Sequence, residues 1–123
     1  MTQIEFEKTI LNFLPTEFFT IYGGWFKDSV KTINPEQKFA LVHIDSDLYE
    51  SAIHALDFLF KNELITFGAH IYFDDYFCNN SNPSYGEQKA WAEISSTYKI
   101  CYINLGNYSV FGNRFLINSY SSN

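Results

Sequence analysis

A chain of 123 residues is one domain's worth of polypeptide at most. Apolar residues make up 46% and aromatics 20%, which excludes a disordered chain, and a net charge of −6 without any basic run excludes nucleic acid as the main partner. No stretch approaches the roughly 20 apolar residues of a membrane helix, and the two cysteines, Cys78 and Cys101, form no CxxC pair of the zinc or thioredoxin type.

Ile4, Phe6, Ile10, Leu11, Phe13 and Leu14 give a partly helical stripe, closed by Pro15. Phe18 to Tyr22 is a short β-type run, ended by Gly23-Gly24. Lys27 to Thr32 suits a helical turn before the loop at Asn34-Pro35. Phe39 to Ile44 is a continuous apolar run with one histidine, the pattern of a strand buried on both faces in a parallel sheet. From Leu48 to Asn62, the residues Leu48, Ala52, Ala55, Leu56, Leu59 and Phe60 keep a 3.6-residue period and predict the clearest helix. Gly68 breaks the chain before a second buried strand, Ala69 to Phe73. Cys78 to Gly86 is a polar loop rich in Asn, Ser and Pro, and Glu87 to Tyr98 is a helix carrying Trp91 and Ile94. Ile100 to Leu105 and Val110 to Ile117 predict two strands joined through Gly106-Asn107 as an antiparallel hairpin. Strands alternating with helices imply one α/β domain over residues 1–123, with a mainly parallel sheet and an antiparallel end. Thirteen Phe and nine Tyr suit strands and sheet-covering helices.

Both apolar strands end in acids. The first runs into Asp45-Ser46-Asp47 and the second into Asp74-Asp75. Sites of parallel α/β sheets form outside the carboxyl ends of the strands, so Asp45, Asp74 and Asp75 converge if the two strands are neighbours. Carboxylates that close repel one another until one is protonated or a cation neutralises them, and a hard oxygen cluster suits Mg²⁺. The alternative is that Asp47 caps the helix that follows while the other acids are solvated loop residues. His43, His54 and His70 have no ligand spacing and read as structural; His43 either faces away from the acids or is a satisfied core residue. Ser46 and Ser51 lack a neighbouring His–acid pair, so serine-hydrolase chemistry has little support.

Three blocks carry a family resemblance. Gly24-Trp25-Phe26-Lys27-Asp28-Ser29 resembles the GWFxDT block of macrocin O-methyltransferase-like enzymes. Asp45-Ser46-Asp47-Leu48-Tyr49-Glu50-Ser51 resembles their DGDLYES block, and Phe73-Asp74-Asp75-Tyr76 their VDDY block, in the same order and at similar spacing. The resemblance implies a class I, Rossmann-like methyltransferase fold, S-adenosylmethionine as methyl donor, and a divalent cation, Mg²⁺, that orients an acceptor hydroxyl. It implies Asp45, Asp74 and Asp75 as metal ligands, Asp45 or Asp47 as the catalytic proton acceptor, and Trp25 and Phe26 beside the cofactor's adenine. Core packing is the alternative for those two aromatics.

The resemblance covers nearly all of this chain but only the C-terminal half of the family's domain. In that family the strand order runs three-two-one-four-five-seven-six. Residues 18–22 would be strand three and residues 39–44 strand four. The N-terminal βαβ unit, its glycine-rich loop and the acid that holds the ribose have no counterpart, since Gly23-Gly24 follows a later strand. A partial fold of this kind predicts an exposed edge on strand four, and with it self-association or a partner supplying the N-terminal half. It also predicts little activity for the chain alone. The acceptor implied is a small molecule, a sugar or natural-product hydroxyl, with no nucleic acid and no membrane. Two cysteines without a signal peptide fit a reducing cytoplasm. A rival reading is a metal-dependent glycosyltransferase, because a buried strand followed by Asp-x-Asp is also a metal–nucleotide signature. A non-catalytic remnant or subunit is the third.

Overall fold

The computed structural model describes residues 1–122. The regular elements are α1 (Gln3–Leu11), α2 (Phe26–Ser29), β1 (Phe39–Ile44), α3 (Tyr49–Lys61), β2 (Ile65–Phe73), α4 (Gly86–Thr97), β3 (Cys101–Asn107) and β4 (Asn113–Ser119). Short 3-10 turns occupy Thr16–Phe18 and Val30–Thr32. The four strands form one sheet in the order β1-β2-β4-β3. This is the order expected for strands four, five, seven and six, and the architecture is compatible with a partial methyltransferase-like fold. The sheet is mixed rather than mainly parallel, because only β1 and β2 pair in parallel while β2–β4 and β4–β3 are antiparallel.

Helices α3 and α4 cover one face of this sheet. Ala52, Ala55, Leu56, Leu59 and Phe60 recur at helical spacing on the buried side of α3, and Ala90, Trp91 and Ile94 do the same on α4. They pack with Ile65, Ala69, Ile71 and Phe73 of β2 and Phe115 and Ile117 of β4. Trp91 lies with its ring centroid 4.9 Å from Phe115 and 5.5 Å from Phe73. The opposite face carries no helix among the described residues: Leu41 is 61% and Ile103 47% exposed there. No helix among the described residues is long and apolar enough to cross a membrane.

Several sequence expectations are corrected. Residues 18–22 form no strand. Phe19 is extended, but its backbone has no neighbouring strand with which to build a ladder. β1 is not buried on both faces; it lies at the sheet edge, and only Ile44 is fully buried. Gly68 does not interrupt the second strand. β2 begins at Ile65 and passes through Gly68 at φ +87°, where the register against β1 shifts, so glycine accommodates a bulge. Gly106-Asn107 is not the hairpin turn. Both residues stay in β3, with Gly106 at φ +85° beside another register shift, and the chain reverses over residues 108–112. α1 has the capping box of Thr2 and Glu5 yet buries none of its residues.

Candidate functional site

The site is built where β1 and β2 end side by side. Ile44 is the register partner of Phe73, and the Asp74 backbone N–H donates to the Ile44 carbonyl at 2.9 Å. The acid-bearing turns that follow are thereby held together. Asp45, Asp47 and Asp75 each offer a carboxylate oxygen, and these oxygens all lie within 4.8 Å of one another. Asp47 has φ 53°, a left-handed conformation that Asp tolerates better than most residues. It does not cap α3: the cap position is Leu48, and no side chain bonds there. At the start of α4, Gly86 (φ +56°) fits closely; a Cβ on it would stand 3.1 Å from Asn79 Nδ2 and 3.5 Å from the Asp47 carbonyl.

The electrostatics of this corner follow from crowded oxygens. The Asp75 carboxyl is raised above its usual range, first by its hydrogen bond with Asp47, then by burial and by the charges of Asp47 and Asp74. The Cys78 thiol opposes this by donating to Asp75 Oδ1 at 3.3 Å. Cys78 itself is pushed up to about 11 by burial and by that same neighbour. Beneath the cluster Glu87 is 1% exposed. Its Oε1 accepts from the Ser46 backbone N–H at 3.2 Å and its Oε2 from the Asp75 backbone N–H at 2.9 Å. Burial pushes the Glu87 carboxyl up to about 7, against the lowering effect of the two amides.

Asp74 faces a different set of groups. Tyr108 Oη donates to Asp74 Oδ1 at 3.0 Å, and His43 Nε2 lies 3.5 Å from the same oxygen and 3.2 Å from the Tyr108 hydroxyl. His43 therefore neither faces away from the acids nor sits in the core; its side chain is 48% exposed beside Asp74. Burial, and then the bond to Asp74, raise the Tyr108 hydroxyl far above the usual tyrosine range.

Glu87 and Tyr108 were not among the residues singled out by the sequence. Glu87 did leave a signal: positions 87, 90, 91 and 94 share one face of α4, so an acid occupies an otherwise apolar stripe. Tyr108 left none, because it lies in a turn assigned to the wrong residues.

Trp25 is 78% and Phe26 42% exposed, so core packing does not explain them. They line a groove of about 270 Å³ with Lys27, Leu48, Glu50, Ser51 and His54. A second groove of about 400 Å³ is lined by Asp47, Leu48, Tyr49, Glu50, Asn79, Tyr85 and Gly86. The two share Leu48 and Glu50, the first and third residues after the Asp45-Ser46-Asp47 turn.

A parallel strand pair ending in a carboxylate cluster, with exposed aromatics on an adjoining groove, lies where ligand sites form in α/β sheets. The family model for macrocin-O-methyltransferase (TylF) matches residues 8–99, well over half of the chain, and the chain belongs to that family. The match includes all three blocks and Glu87, and it ends before the β3–β4 hairpin that carries Tyr108. No curated protein matches the chain. Membership favours methyl transfer over the nucleotide-sugar reading of Asp45-Ser46-Asp47.

Proposed function

We propose that this chain provides the cation and acceptor side of an S-adenosylmethionine- and Mg²⁺-dependent O-methyltransferase acting on a sugar or natural-product hydroxyl. The observation that carries the reading is the meeting of Asp45, Asp47 and Asp75 at the ends of paired parallel strands in a macrocin O-methyltransferase family member. The donor set fits the ion: every candidate ligand is a hard carboxylate oxygen, and Asp75 and Asp47 are bonded carboxyl to carboxyl, a pairing that a divalent cation would replace. Ser46 Oγ, between the two aspartates in sequence, is buried with no hydrogen-bond partner and adds a further oxygen at this turn. When bound, Mg²⁺ lowers the pKa of an acceptor hydroxyl and S-adenosylmethionine supplies the methyl group.

The chain's own residues divide the remaining work. Asp45 and Asp75 hold the cation. Asp47 lies with them in the cluster, and Asp74, whose Oδ1 accepts from Tyr108, would be the further ligand that the family resemblance implies. Asp45 or Asp47 accepts the proton of the hydroxyl. Trp25 and Phe26, exposed on the groove they share with Leu48 and Glu50, would hold the cofactor's adenine. The 123 residues hold no glycine-rich strand-to-helix turn, so the cofactor's backbone contacts come from outside them, from a partner or a further segment. Cys78 and Cys101 are both free thiols, which supports a reducing, cytoplasmic setting.

Calorimetric titration with Mn²⁺ tests the metal, and labelled S-adenosylmethionine with hydroxylated acceptors tests the chemistry. The expected results are cation binding that Asp75→Asn strongly weakens and no useful turnover by the chain alone. Equal Mn²⁺ affinity for parent and Asp75→Asn would sink the metal site. Metal-dependent turnover by the chain alone, at ordinary enzymatic rates, would show that its cofactor site is complete.

A further inference from the structure

We infer that Glu87 is the positioning residue of the acidic cluster: its buried carboxylate clamps the two acid-bearing turns at the separation a divalent cation needs. The inference rests on the cation reading above and assigns a role to a residue that the motif blocks do not contain.

Glu87 occupies the first turn of α4, where a glutamate ordinarily serves its own helix by reaching back to the cap or by lying free in solvent. It does neither. Its two oxygens accept one hydrogen bond each from the Ser46 and Asp75 backbone amides, 41 and 12 residues away in sequence. Ser46 lies between Asp45 and Asp47, and Asp75 is itself a candidate ligand. Each oxygen is therefore tied to one of the two turns that must stay together. The Asp47 and Asp75 carboxyls also bond directly across the two turns, whereas Glu87 reaches both from a third element, α4.

The residue is 1% exposed, on the same helix face as Ala90, Trp91 and Ile94. An apolar side chain would fill that place without the desolvation penalty of a carboxylate. Packing alone therefore does not account for an acid here. Two backbone amides at the floor of the cluster do, because each would otherwise lack an acceptor. Residues that orient metal ligands in this way act on affinity without touching the ion, commonly by about 10- to 100-fold.

The test compares the full chain with Glu87→Gln and with Ile94→Val, which thins the same helix face without touching the turns. Gln keeps the shape but offers an NH₂ where one amide needs an acceptor. Amide hydrogen exchange at Ser46 and Asp75 reads the clamp directly and needs no metal. Exchange at one or both is expected to quicken by roughly tenfold or more in Glu87→Gln and to stay unchanged in Ile94→Val. Mn²⁺ affinity, from the EPR signal of the free ion, is expected to fall by about 10- to 100-fold in Glu87→Gln alone. Unchanged exchange at both amides, or equal Mn²⁺ affinity in parent and Glu87→Gln, overturns the inference. A parent chain that binds no Mn²⁺ overturns the cation reading instead, and the exchange result then decides by itself whether Glu87 holds the turns.

Discussion

The two faces of the sheet part company most clearly at Asp74 and Asp75. Successive residues leaving a strand point to opposite faces. Asp75 follows Phe73 to the helix-covered side, where it meets Asp47, Cys78 and the Glu87 carboxylate. Asp74 goes to the open side, where it meets His43 and Tyr108. The same division runs the length of the sheet. On the covered side Ile71, Phe73, Phe115 and Ile117 are shielded by α3 and α4. On the open side, pairing sets Leu41, His70, Leu116 and Ile103 in one row and His43, Tyr72 and Arg114 in the next, and no helix of the described residues covers either. Stability is thus concentrated on one face, while the other offers an apolar surface with polar members, the kind that another chain segment covers. The acids sit at the boundary, one from each side.

The largest expected effect tests that asymmetry. Trp91→Ala should cost about 3–5 kcal/mol, because it empties the contact between α4, β2 and β4. Leu41→Ala on the open face should cost less than about 0.5 kcal/mol. Urea denaturation measures both. A loss above ~2 kcal/mol for Leu41→Ala would mean that the open face is packed against something in solution. Sedimentation would identify a second copy as that partner, and Leu41→Lys should then lower the apparent mass by breaking the exposed β1 edge and face.

Next in size is the contrast between the two adjacent acids. Asp75→Asn removes a charge from the assembled cluster and should lower Mn²⁺ affinity by about 100-fold or more. Asp74→Asn should cost roughly tenfold, since part of its carboxylate is already engaged by Tyr108. Tyr108→Phe sharpens the point. Freed of that bond, Asp74 should bind the ion at least as well as in the parent. If Asp74→Asn instead costs more than Asp75→Asn, the cation sits toward the open face and Asp47 is not a ligand.

Much of this was legible in the chain. Period and apolar content located α3, α4 and the strand ends, and an acid after each apolar run located the corner of the site. What the sequence concealed has physical causes. The run Phe39 to Ile44 is apolar enough for a central strand, but burial depends on neighbours, and β1 has one on a single side. Gly68 and Gly106 read as breaks because glycine ends strands as readily as it permits bulges, and only pairing distinguishes the two. Residues 18–22 have strand-like composition without a partner strand. Asp47 followed the rule for a helix cap, yet it turned into the acid cluster, because its left-handed backbone starts α3 one residue later.

The smallest effect lies within the covered face. Tyr98 Oη donates to Asp57 at 2.6 Å and joins the end of α4 to α3, while its ring stacks on Phe60 at a centroid distance of 6.0 Å. Tyr98→Phe keeps the stacking and removes the hydrogen bond, so the cost should be about 1–2 kcal/mol. Burial, and then the bond to Asp57, push the Tyr98 hydroxyl up to about 12 from its ordinary 10. In the unfolded chain the same hydroxyl ionises from about 10, so between these values the native state holds the proton that the unfolded state has lost. Its contribution is therefore complete below pH 10 and is lost as the pH rises toward 12. Tyr76, raised to about 12 chiefly by burial, adds a loss of the same sign. Tyr98→Phe should accordingly be less stable than the parent at pH 8, and the gap should narrow as the pH climbs through that window without the alkaline loss vanishing altogether. Urea midpoints taken across the alkaline range measure it. A gap that stayed constant with pH would show that the Tyr98 hydroxyl holds its proton no more firmly in the folded chain than in the unfolded one.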